Sequence, residues 1–155
     1  MRTSNQGKQL IKEFEGLRLN AYLCPAGKPT IGWGHTEGVK TGQHITMEQA
    51  EDFLVEDIAP TEKLLNTMCI NFRQEQFDAL VSWIFNLGRG AFVSSTLCKR
   101  IQDGADDEDI TDQLVRWIYS GKQQLRGLMV RRVKEANLFL GYERYKVEKN
   151  RIVKI

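Results

Sequence analysis

Hydrophobic positions along the chain follow two different rhythms. Residues 5–14 are amphipathic, with Ser4 placed to cap a short helix and Gly16 to end it. Between residues 17 and 45 the pattern loses its helical period. Gly27, Gly32, Gly34, Gly38, Gly42, Pro25 and Pro29 punctuate β-formers such as Tyr22, Ile31 and Trp33, which predicts short antiparallel strands joined by tight turns. Helical spacing then resumes. Thr46 caps a helix from Met47 to Leu65, with Gln49 at the capping-box position and Pro60 expected to kink or break it. Asn71 is expected to cap the next helix, whose stripe is Phe77, Leu80, Val81, Ile84 and Leu87, with Gly88 and Gly90 ending it. A short helix starts at Ser94 or Ser95 and stops at Asp103-Gly104; others run over 108–119 and 127–140.

This order predicts an α+β fold: a small antiparallel sheet lobe and a larger helical lobe, joined by a long helix with a cleft between them. The chain reads as one domain, 1–155. Its N-terminal lobe covers about residues 16–60, its helical lobe about 61–141 with helix 4–14, and a basic tail 142–155 follows. Clefts between lobes suit extended substrates.

Composition bounds the chemistry. The 155 residues are 41% hydrophobic and 27% charged, ordinary for a globular domain. No run approaches the roughly 20 apolar residues of a membrane span, so no stable membrane insertion is expected. Residues 1–9 are polar and lack the apolar core of a signal peptide. The expected location is therefore the cytoplasm of the cell that makes the chain. Cys24, Cys69 and Cys98 are odd in number and widely spaced, which argues against a disulfide framework, and neither they nor His35 and His44 have metal-ligand spacing. No metal or cofactor is expected. The net charge of +2 is unevenly spread: residues 113–155 carry 11 Lys/Arg and 3 Asp/Glu, while residues 1–112 carry 11 and 17. Such a basic half is either a solvated, salt-bridged surface or a surface attracted to a polyanion. No nucleic-acid motif accompanies it, so nucleic acid is not an expected partner.

Three residues within 14–35 carry possible chemistry. Glu15 ends the first helix, where the negative end of the helix dipole and partial burial both favour a protonated carboxyl. A carboxylic acid kept protonated is what a glycosidase needs to protonate a leaving oxygen. Taken alone, Glu15 is more simply a surface residue in a last helical turn, Cys24 a small buried hydrophobe and Thr30 a strand former.

Their spacing changes the reading. Glu15-Gly16-Leu17-Arg18-Leu19-Asn20-Ala21-Tyr22, then Cys24, then Thr30-Ile31-Gly32-Trp33-Gly34-His35 resembles the active-site signature of the phage-type lysozymes, glycoside hydrolase family twenty-four. That family places Glu, then Asp or Cys, then Thr at these offsets. The resemblance continues through Phe77–Ser82 and Phe85–Gly88, similar to the family's central helix, and through Gly127, Leu128, Arg131, Arg132 and Glu135, similar to its closing helix. It covers roughly residues 4–141; the tail has no clear counterpart and receives no function.

The resemblance implies an endolysin-type muramidase that hydrolyses the β-1,4 bond between N-acetylmuramic acid and N-acetylglucosamine, acting as a monomer on peptidoglycan. It implies Glu15 as general acid and Cys24 and Thr30 as the groups handling water in an inverting mechanism. Many members carry Asp where this chain has Cys24. An ordinary thiol is mostly protonated at neutral pH, so Cys24 must either have a lowered pKa or supply polarity and space, leaving Thr30 to hold the water. His35, Phe85 and Asn86 are expected along the cleft as substrate-binding residues, with His35 first a support of the sheet and Phe85 equally a core residue. Arg131 or Arg132 should approach Glu15: the apolar stripe Leu125, Leu128, Met129, Ala136, Phe139 puts Arg132 inward, whereas the family's spacing back from Phe139 favours Arg131. Such an arginine opposes protonation of Glu15. The competing classes are a peptidoglycan-binding module without catalysis, which would be free to lose Glu15 and Thr30, and a lytic transglycosylase, which leaves anhydro ends. Without an export signal, release to the wall is expected to need a holin-like membrane hole.

Overall fold

The computed structural model describes all 155 residues. Helix α1 (Asn5–Glu15) begins where Ser4 Oγ accepts the Gly7 N–H at 3.2 Å and ends at Gly16, whose φ of 68° suits glycine. Strands β1 (Arg18–Leu23) and β2 (Pro29–Gly32) pair antiparallel, Tyr22 opposite Thr30 and Leu23 opposite Pro29. Isolated bridges Asn20–His44 and Ile31–His35 extend this small lobe.

Helix α2 (Met47–Thr67) carries the expected capping box: Gln49 N–H donates to Thr46 Oγ1 at 3.1 Å, and Thr46 N–H to Gln49 Oε1 at 2.9 Å. Pro60 lies inside it and does not break it. Pro60 and Glu56, whose carbonyl loses its partner, are both exposed to water. The opposite face buries Ala50, Leu54, Ile58, Thr61 and Leu65. Interior proline costs about 3 kcal/mol, and burying several large side chains at about 1.5–3 kcal/mol each outweighs it.

Helix α3 (Gln74–Leu87) is capped by Arg73 rather than Asn71, because the Gln76 side chain folds back to accept the Arg73 N–H at 2.9 Å. Its nine residues from Gln76 to Ile84 are all buried, so the expected one-sided stripe is a fully enclosed central helix. Gly88 ends it, while Gly90 lies inside α4 (Arg89–Val93). Helix α5 (Thr96–Gln102) is capped by Ser95. Helix α6 (Asp107–Leu114) stops well short of Tyr119: the chain leaves the helix so that Trp117 turns edge-on against Trp83, ring centres 5.1 Å apart. A short hairpin, β3 (Tyr119–Ser120) and β4 (Gln123–Gln124), then leads into α7 (Arg126–Leu140), which Gly141 ends in the left-handed conformation.

The tail is ordered. Strands β5 (Tyr145–Glu148) and β6 (Arg151–Lys154) form a hairpin about Lys149-Asn150, both at positive φ. Tyr145 anchors it, 2% exposed, its hydroxyl donating to Asp112 at 2.6 Å and lying 2.9 Å from the Thr111 hydroxyl.

The fold is thus α+β, with helices packed around α3, which contacts α7, α1 and α2. Helix α2 also packs on β2 and so joins the small sheet to the helical part. Asp78 of α3 accepts both the Ser4 backbone N–H, at 2.9 Å, and the Ser4 hydroxyl, which ties the start of α1 to the central helix.

Burial, and secondarily the hydrogen bond to Asp112, pushes the Tyr145 phenol up to about 12. The folded state therefore favours the neutral phenol, a stabilisation complete below the ordinary value of 10 and lost as pH rises towards about 12. Tyr145→Phe should lower unfolding free energy by about 1–2 kcal/mol at neutral pH, and should lack this alkaline component of the wild-type stability curve. Equal chemical denaturation of the two proteins at pH 7 would contradict the anchoring role.

Candidate active site

Glu15 is the last residue of α1, and Gly16 turns the chain away. Its side chain is 23% exposed. Arg131 of α7 donates from Nη1 to Glu15 Oε1 at 2.8 Å, and its guanidinium also stacks over Phe14. The other carboxylate oxygen, Oε2, faces Gly34 in the loop after β2. A Cβ at position 34 would stand 3.3 Å from that oxygen, and its φ of 82° disfavours side chains as well. Gly34 thus keeps one oxygen of Glu15 open while Arg131 holds the other.

Arg131 rather than Arg132 therefore reaches Glu15. The helical stripe was a poor guide because both arginines are buried, at 4% and 0% exposure. Arg131 also donates from Nη2 to the Ser82 carbonyl at 3.1 Å. Arg132 turns the other way, donating to Asn86 Oδ1 at 2.9 Å and forming a fork on Glu135 at 2.6 and 3.1 Å. Glu135 has no exposed surface; burial pushes its carboxyl up, while Arg132 and Arg131 oppose this. Sequence reasoning gave Glu135 no role. The available signal was its spacing, three and four residues after two adjacent arginines, the separations that bring helical side chains together.

The β1–β2 hairpin carries the other two residues. Thr30 is 3% exposed and donates from Oγ1 to the Lys28 carbonyl at 2.9 Å. Cys24 is half-buried. The Lys28 backbone N–H chiefly holds its thiol below the ordinary value, helped by the Ala26 N–H and the Thr30 hydroxyl and opposed by burial. Cys24 and Thr30 therefore share one polar turn. Glu15 bonds to neither; the link is the chain itself, since the strand that carries Thr30 leads directly into Gly34.

His35 lies behind the cleft wall, 4% exposed, with Nδ1 2.9 Å from both oxygens of Asp57 and its ring stacked on Phe53 at 4.1 Å. It ties the loop carrying Gly34 to α2. Phe85 is half-buried and lines a depression of about 320 Å3 with Gly34, Thr36, Glu37, Asp57 and Arg89. Asn86 lines the adjoining groove of about 480 Å3 with Glu15, Phe14, Arg126, Leu128 and Arg131. The three cysteines are unpaired: Cys69 is exposed in the turn after α2 rather than on a helix, and Cys98 is buried on α5. No group of three or more His, Cys, Asp or Glu is arranged to hold a metal ion.

The three thiols should differ in reactivity. Burial pushes the Cys98 thiol up, whereas the hydrogen bonds at Cys24 lower it. A short pulse of iodoacetamide at neutral pH should label Cys69 and Cys24 in the native protein and spare Cys98. Peptide mapping that finds Cys98 modified before Cys24 would contradict this ordering.

Known proteins resemble this chain in sequence and fold. The sequence model of the phage lysozyme family matches residues 12–135. An endolysin from Acyrthosiphon pisum secondary endosymbiont phage 1 is 44% identical over 144 residues, covering 90% of this chain and 98% of its own. The endolysin of Salmonella phage P22 is 36% identical over 146 residues, covering 90% and 99%. The solved muramidase domain of SpmX from Asticaccaulis excentricus superposes with a TM-score of 0.83 at 36% identity, covering 90% and 97%.

Proposed function

The chain belongs to the phage lysozyme family, and from that premise we propose that it cleaves peptidoglycan with Glu15 as proton donor and with Cys24 and Thr30 holding the attacking water. It is a glycoside hydrolase of the muramidase type, an endolysin acting on the bacterial cell wall. The bond it hydrolyses is the β-1,4 linkage between N-acetylmuramic acid and N-acetylglucosamine.

The observation that carries the assignment is the unequal treatment of the two Glu15 oxygens. Arg131 occupies Oε1 at 2.8 Å, so Oε2, open beside Gly34, is the atom that presents the proton to the glycosidic oxygen. As that bond breaks, positive charge develops on the sugar and a water attacks from the opposite face. The water gives its proton to Cys24, whose thiol the Lys28 backbone N–H chiefly holds below its ordinary pKa, while Thr30 fixes the water's position. Proton return through solvent then restores the protonated Glu15 and the deprotonated Cys24. Asn86 and Phe85 lie where the glycan chain would run, one to read hydroxyl and N-acetyl groups and one to stack on a ring. His35 acts behind them by holding the loop of Gly34 on Asp57.

The protein works as a monomer, and a membrane hole made by a holin-like partner gives it passage from the host cytoplasm to the wall. Expression in a host with and without a hole-forming protein tests it, lysis being expected only with the partner; prompt lysis without one would refute the dependence.

Glu15→Gln keeps size and hydrogen bonding but has no proton to give, so clearing of purified walls should fall by about 10²–10⁴-fold or more. Near-wild-type clearing would remove Glu15 from the chemistry. At position 24, Asp supplies a base and should retain substantial activity, whereas Ala should lose most of it. Thr30→Val should also lose activity with little change in thermal stability, because the Lys28 carbonyl still accepts the Cys24 N–H at 3.0 Å. If the Ala and Asp variants at position 24 both matched wild type, the water would belong to Thr30 alone.

A further inference from the structure

Glu135 is a fully buried carboxylate that the proposed mechanism leaves unused. It sits on α7, four residues after Arg131 and three after Arg132, a helical position within reach of both side chains. Arg132 forks onto it at 2.6 and 3.1 Å, and Arg131 Nε lies 3.9 Å from its Oε2. The terminal nitrogens of the two arginines reach further groups, and Arg132 Nη1 also donates to the Trp117 carbonyl at 3.4 Å. Arg131 reaches Glu15 at 2.8 Å, and Arg132 reaches Asn86 at 2.9 Å. One carboxylate therefore balances two guanidinium groups that hold the proposed acid and a groove-lining amide.

We infer that Glu135 is a positioning residue that sets the working pH range of the enzyme by cancelling one of the two buried positive charges behind Glu15. This rests on the reading of Glu15 as proton donor. With Glu135 ionised, the pair of arginines presents one net positive charge to Glu15. Without it, two would act through the same low-dielectric wall, the proton would leave Glu15 more readily, and activity would fail at lower pH. Removing Arg132 instead leaves Glu135 to offset Arg131, so activity should persist to higher pH. Other charged groups share this space. Arg126 and Arg131 come from α7, Glu37 and Asp57 from behind Gly34, and Arg89 from the start of α4, while α3 brings only Ser82 and Asn86 to the contact. On the helix that carries Glu15, Lys12 pairs with Glu51, and Glu13 with Lys134. The substitutions below alter none of these.

The test compares pH–rate profiles of wild type, Glu135→Gln and Arg132→Gln on purified walls, with thermal unfolding recorded for each. The alkaline limb should move about one pH unit down in E135Q and upward in R132Q, because the two changes have opposite charge. Loss of packing alone would lower both melting temperatures without moving the limbs apart. Unmoved limbs, or limbs moving the same way, overturn the inference. Should one variant fail to fold, the direction of shift in the other still decides. The wild-type protein separates the two readings: if it has no activity on walls, the proposed function itself fails; if it is active and the limbs do not part, only the role of Glu135 does.

Discussion

A guanidinium group taken out of water must find acceptors, and the cleft is organised around where Arg131 finds them. It is 4% exposed and draws on two other elements: the Glu15 carboxylate at the end of α1 and the Ser82 carbonyl of α3. Breaking a buried charge pair by removing one partner commonly costs about 3–5 kcal/mol. Each of these helices is therefore held against α7 by a polar demand as well as by packing. Asp78 secures the other end of α1 through Ser4, so this helix is fixed at both ends against α3 and α7. Glu15 consequently projects from a braced helix end rather than from a flexible loop.

The small sheet lobe completes the arrangement from the other side. Its hairpin is irregular in register and short, and α2 supports it through β2. The His35–Asp57 contact fixes the loop in which Gly34 approaches Glu15. The same hairpin turns hydrogen-bond donors onto Cys24, which lowers its thiol pKa without a neighbouring cation. Two lobes of different construction thus hold the two groups. The helical lobe holds one oxygen of the Glu15 carboxylate on Arg131, and the sheet lobe surrounds the Cys24 thiol with hydrogen-bond donors.

Local signals in the sequence located most element starts. Ser4 and Thr46 cap helices by bonds to residues three positions away, a relation visible in any short window. Features that such windows did not fix mostly have a non-local cause. Pro60 is tolerated because the face opposite it is buried, α6 stops early because Trp117 finds Trp83, and the tail folds because Tyr145 finds Asp112 and Thr111. The site shows the same division. Glu15, Cys24 and Thr30 stood out by spacing within one segment. The arginine facing Glu15 could not be chosen from periodicity, since an amphipathic pattern assumes that charges point outward, and here two arginines and a glutamate are buried together.

The central claim is that water cleaves the glycosidic bond. Digestion of purified cell walls in 18O-labelled water, with prompt reduction of the products and mass spectrometry of the soluble muropeptides, addresses it directly. Hydrolysis places one heavy oxygen at each new reducing end of N-acetylmuramic acid. New ends that are unlabelled and anhydro would show that the sugar's own hydroxyl, and not water, displaced the leaving group.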